Sequence, residues 1–125
     1  MVEALPEHLI VRLMRAIELR KMVQLLRDGD RVVDHVLAAF TNDPVSPITS
    51  NVYLARDWAQ RLVPNLRIVT ETQHGILYGV QAELDGEPYH CPMLARTPAI
   101  PACYVGLSAL IEQLTASLDR GIDSV

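Results

Sequence analysis

The spacing of apolar positions along the chain predicts four helices and three strands, in the order α-α-α-β-β-β-α. A first helix is predicted from about Pro6 to Arg27. Pro6 suits the first helical position, Glu3 and Glu7 complement the N-terminal dipole, and Gly29 supplies the stop. Its apolar residues form two stripes. Leu9, Ile10, Leu13 and Ile17 make one, and Leu19, Met22, Val23 and Leu26 make the other. At 100° per residue the stripes face well over a right angle apart, so this helix needs two sets of neighbours. Either a kinked helix wrapping its own domain or a helix donated to an oligomer would satisfy that pattern, because periodicity does not name the partner.

A shorter helix is predicted over Arg31 to Phe40, with Asp30 as N-cap and Val32, Val33, Val36, Leu37 and Phe40 inward. The Pro-, Ser- and Thr-rich run TNDPVSPITSN then reads as a loop. A third helix follows from Asn51 to Val63, capped by Thr49 or Ser50 and ended by Pro64. Strand-like alternation covers Leu66 to Thr72, Ile76 to Leu84 and Tyr89 to Ala95. Pro92 marks the last run as an edge strand, and the short connections QHG and DGEP favour antiparallel hairpins. The final helix is predicted from Thr97, as N-cap, to about Leu118, with Gly106 marking a close approach to a helix or the sheet. The fold class is therefore α/β in the broad sense (α+β). A short three-stranded antiparallel sheet is flanked by helices. The expected division is a helical extension over 1–42, an α-β-β-β-α domain over 43–120 and a tail over 121–125.

Composition narrows the function classes. Half of the 125 residues are hydrophobic and 21% are charged, as in one ordinary globular domain. The net charge of −4, with no basic stripe, argues against extended nucleic-acid binding but leaves room for an Arg-lined pocket for one small anion. The opening MVEALPEH is acidic where a leader would be cationic, and charges interrupt each apolar stretch. No membrane association is expected, and the cytoplasm is the expected location. Cys91 and Cys103 read as reduced thiols.

From Pro44 onward the pattern resembles a known family. The lead-in PVSPITSNVYLARDWAQRLVP, the strands LRIVTET and ILYGVQAEL, the connection DGEPY and the segment ARTPAIPACYVGLSALIEQL are similar to the phage ABA-sandwich proteins of phages and prophages. The likeness covers about Pro44 to Leu118, and RTPAIPACYVGLSAL is its most specific part. It implies a phage or prophage origin. No catalytic residue is established in that family, so none is carried over.

Motifs for chemistry are sparse. His74, His90, Cys91 and Cys103 lack zinc-ligand spacing, so no metal is expected. No nucleotide-binding loop or nucleophile elbow is present, and no cofactor is expected. Trp58, with Arg56 and Arg61, is a core anchor or a base-stacking platform. The start of the last helix is the best anion site, because a helix N-terminus offers unpaired N–H groups. Arg67, Tyr78, Arg96 and Thr97 are its candidate ligand-binding residues, although Pro98 and Pro101 remove two donors. The expectation is a non-catalytic accessory protein that acts by binding, as a homo-oligomer built through its N-terminal helices. The ligand would be a small anion of nucleotide type. The alternatives are a protein-interaction module acting on a host protein, and a small enzyme using Cys91 or His74.

Overall fold

The fold is seen in a computed structural model, which describes residues 7–123. The roles expected of Glu3, Pro6 and the Glu7 side chain lie outside the described residues. Four helices and three strands follow one another in the expected order: α1 (Glu7–Gln24), α2 (Arg31–Phe40), α3 (Val52–Leu62), β1 (Leu66–His74), β2 (Leu77–Leu84), β3 (Glu87–Tyr89) and α4 (Ala99–Asp123). The sheet is antiparallel with β2 in the middle. This is an α+β fold.

α4 is the hub. Ile100, Cys103, Leu107 and Leu110 bury its faces, and the helix packs against α1, α3 and the inner face of the sheet. Residues 99–120 are long and apolar enough to cross a membrane, against the expectation that charges interrupt each apolar stretch. Two thirds of that window (67%) is buried within the fold, so its apolar residues are used as core. Gly106 lies against Ala59 of α3, where an added Cβ would stand 2.7 Å from the Ala59 Cβ. The close approach read from the sequence is therefore one between helices.

α1 does not kink into two separate faces. Ala16, Leu19 and Val23 are fully buried along one line, and Leu9, Leu13, Ile17, Met22 and Leu26 are half-buried on either side of it. The two stripes are thus flanks of one wide face, which sits on α4 and touches α2. α1 ends at Gln24 rather than Arg27, as the Leu25 and Leu26 amides tighten onto Met22 and Val23. Gly29 is not a left-handed stop. It lets the chain pass Ser50, whose Cβ would be 2.7 Å from a Cβ at this position.

Asp30 caps α2 as expected, accepting from the Val33 amide at 3.0 Å. α3 is capped by Asn51, which accepts from the Tyr53 and Leu54 amides, and not by Thr49 or Ser50. Those two lie in a short 3-10 turn over Ile48–Ser50, where Thr49 is buried against Asp34. Trp58 is wholly buried, its indole N–H shared between the Leu37 carbonyl and the Thr41 hydroxyl. Arg61 pairs with Asp43 at 2.7 Å and Arg56 donates to the Ile68 carbonyl, so the stacking platform is excluded.

In the sheet, Leu66, Ile68, Val80 and Ala82 face the helices, while Arg67, Thr70, Gln81 and Pro88 are exposed on the other side. A bulge between Ile68 and Thr70 leaves Val69 unpaired on β1. The hairpins turn at Gly75-Ile76 and Asp85-Gly86. Gly75 has positive φ in the first, and both residues do in the second, which fits the tight turns that match strand twist. β3 is shorter than expected and lies earlier: it takes in Glu87 and Pro88, expected in the turn, and shares only Tyr89 with the expected run of Tyr89 to Ala95. Pro92 has no amide to donate, and the Leu94 side chain lies across Gly79 of β2. The segment rejoins the sheet only where Ala95 and Tyr78 exchange two hydrogen bonds. The Tyr89 hydroxyl donates to Glu112 at 2.6 Å, and burial together with that carboxylate pushes its pKa well up, so it stays a donor at neutral pH.

Candidate functional site

The four residues expected to form an anion site are not brought together. Arg67 stands on the exposed face opposite Glu83, whereas Tyr78 lies five residues further along β2. At ~3.3 Å per residue that is about 17 Å away, and the odd offset puts Tyr78 on the opposite face. Tyr78, Arg96 and Thr97 are neighbours through the Tyr78–Ala95 bridge. Arg96 is occupied: its amide donates to the Arg27 carbonyl at 2.8 Å and its guanidinium lies 3.5 Å from Asp28. It fastens the lead-in of α4 to the end of α1.

The start of α4 has little to offer an anion. Thr97 accepts from the Ala99 amide, Ile100 donates to the Thr97 carbonyl and Ala102 to the Pro98 carbonyl. Pro98 and Pro101 have no N–H. From Pro98 to Ala102 each amide is either partnered or absent.

The thiols are held in protonating surroundings. Burial raises the Cys91 pKa, opposed by a backbone hydrogen bond at Met93, and its Sγ lies 3.7 Å from the Pro101 carbonyl. Burial, and then the nearby Asp34 charge, raise that of Cys103 further. His74 sits at the hairpin end, 3.3 Å from the Thr72 hydroxyl, with no hydrogen bond to Cys91. A nucleophilic cysteine needs the reverse, a stabilised thiolate. At neutral pH both thiols of the native protein are expected to react slowly with a chromogenic disulfide, and both at the rate of a free thiol after denaturation. A fast-reacting native Cys91 would reopen the cysteine chemistry. Among the described residues no three His, Cys, Asp or Glu side chains converge on a metal-sized site.

A different set of residues does converge. α1 presents His8, Val11, Arg12 and Arg15, which share one side of the helix by their i, i+3, i+4, i+7 spacing. α2 comes alongside with His35, Val36, Ala39 and Phe40. Between them lies an open groove of about 700 Å³. The Arg12 guanidinium sits over the Phe40 ring, 4.7 Å from its centre. A cation held over a ring face is positioned without using its N–H groups on an oxygen. Among the described residues neither Arg12 nor Arg15 has an ion pair. The His35 Nδ1 lies 2.8 Å from the Arg31 carbonyl; since a carbonyl only accepts, Nδ1 carries the proton and Nε2 is left over.

Among the described residues no carboxylate lines this groove. That separates it from the adjoining depression of about 670 Å³, where Asp28, Asp30 and Asp34 are engaged with Arg96, the Val33 amide and Thr49. It also separates it from a smaller hollow of about 460 Å³ beside β3, lined by Glu83, Pro88, His90 and Cys91 among others. His8, Arg12 and Arg15 were visible in the sequence as an i, i+4, i+7 series of basic side chains. Their companions His35 and Phe40 reach them only through the packing of α2.

Compared with protein-family models, curated proteins and solved structures, the chain matches none.

Proposed function

We propose that the chain is a non-catalytic binding protein whose α1–α2 groove holds a small phosphate- or carboxylate-bearing ligand of up to nucleotide size. The observation that supports this is the convergence of His8, Arg12, Arg15 and His35 on one groove whose wall, among the described residues, holds no carboxylate. Arginine matches the oxygen geometry of phosphate and carboxylate with paired donors, and stacking on Phe40 holds one such fork in place. The volume lies within the range of small-molecule sites, about 300–1,000 Å³. The Val11, Val36 and Ala39 walls suit the apolar body of such a ligand. An origin in a phage or prophage, implied by the RTPAIPACYVGLSAL segment, belongs to the same proposal.

Calorimetric titration with pyrophosphate, AMP and ATP tests it. At least one is expected to bind. Arg15→Ala and Arg12→Gln are each expected to weaken it about tenfold, the worth of one charge-assisted hydrogen bond. Arg96→Ala is expected to leave the affinity unchanged, because that side chain belongs to a different part of the surface. No binding by any of the three, or binding lost only with Arg96, would overturn the groove as the site.

A further inference from the structure

The side of α1 turned away from the core is apolar where a surface helix is ordinarily polar. Val11 is 64% exposed, Met14 58% and Leu25 84%. Between them stand two exposed charges, Glu18 and Lys21. The four positions 14, 18, 21 and 25 are spaced by four, three and four residues, the repeat of a two-helix seam, and Val11, one turn earlier, borders the groove. Leu25 lies one residue beyond α1, and its amide bonded to Met22 continues the helical turn.

The signs of the two central charges choose the partner and its direction. In a parallel pair of α1 helices Glu18 would meet Glu18 and Lys21 would meet Lys21, which repels. In an antiparallel pair about a two-fold axis, Glu18 faces the partner's Lys21 and Lys21 faces the partner's Glu18. The same register sets Met14 against the partner's Leu25, and Leu25 against the partner's Met14. Each of the four layers is complementary, two in charge and two in apolar surface. Neither Glu18 nor Lys21 has an ion pair within its own chain among the described residues.

We infer that the outer side of α1 is the seam of an antiparallel homodimer, and that its occupant is a second copy of this chain. A closed two-fold contact uses the same patch on both subunits, and a self-complementary patch is what these residues form. About three turns of helix from each copy make an interface at the small end of the usual size range. The dimer is therefore expected to depend on concentration.

Sedimentation equilibrium of the full chain tests this through charge reversal. The wild-type mass is expected to rise with concentration from 13.9 kDa towards twice that value. Glu18→Lys and Lys21→Glu are each expected to stay at the monomer mass where the wild type is dimeric. An equal mixture of the two is expected to dimerise, since it restores opposite charges in both central layers; the double variant carrying both reversals should do the same. All four residues of the seam are exposed, and an unchanged unfolding midpoint confirms that the variants fold. A wild-type chain that remains monomeric up to about 1 mM would overturn the inference. So would an oligomer indifferent to both reversals, or a mixture of the two variants that fails to associate.

Discussion

Gly106→Val is expected to destabilise the protein by about 3 kcal/mol, the upper end of what overpacking a close-packed core costs. A Cβ at this position would lie 2.7 Å from the Ala59 Cβ and 3.0 Å from the Ala59 Cα. Neither atom can rotate aside, since both are fixed by the backbone of α3. α3 and α4 would have to move apart, and Trp58, Leu107 and their neighbours would lose contact with them. Gly106→Ala is the sharper test of sign. In an exposed helix that change would stabilise by about 1 kcal/mol through propensity, whereas here it is expected to lower the denaturant midpoint. Ala59→Gly is expected to recover part of the loss in the double variant, because it removes the opposing methyl group. A stabilised Gly106→Ala would mean that the two helices have room to spare.

The same helix contact shows what the sequence makes legible. A glycine among Ala, Val and Leu in an apolar stripe signals a close approach, and the order of elements follows from periodicity alone. The bounds of α2 are readable because an N-cap aspartate and a loop frame it. The cap of α3 is not. Thr49, Ser50 and Asn51 are three adjacent residues of the capping type, and which of them caps depends on Thr49 being drawn into the core by Asp34, 15 positions away. The end of β3 is hidden for a related reason, since Leu94 crosses over Gly79 only in the folded chain. On α1 the two apolar stripes suggest two faces, but Ala16, which belongs to neither, is fully buried between them and joins them into one. Small residues count little in a stripe read from the sequence and a great deal in a packed one. The groove is half legible by the same standard. The basic series on α1 is local, whereas its apposition to Phe40 and His35 is tertiary. Arg96, the most prominent cation of the sequence-based site, is already engaged with Asp28.

Thr49→Val, a change that preserves shape, is expected to cost about 3 kcal/mol, because it leaves buried polar groups without partners. Thr49 is fully buried and Asp34 nearly so. The Thr49 hydroxyl donates to Asp34 Oδ1 at 2.7 Å and accepts from the Asp30 amide at 2.8 Å. Its own amide donates to the same Asp34 oxygen at 2.8 Å. Valine keeps that last bond and loses the other two. The Asp34 carboxyl would then be buried with one donor fewer, and the Asp30 N–H would lose its acceptor. Thr49→Ser retains the hydroxyl and is expected to cost less than half as much. The cost should also couple to Asp34: in a double-mutant cycle with Asp34→Ala, the second substitution is expected to add far less than it costs alone. The network joins the start of α2 to the turn before α3, and α2 carries His35 and Phe40 into the groove. Thr49→Val should therefore weaken anion binding as well as stability, although Thr49 does not line the groove. A loss of stability with full affinity would show that the groove is held by α1–α2 packing alone. Loss of both would place the Asp34–Thr49 pair among the residues that position the site.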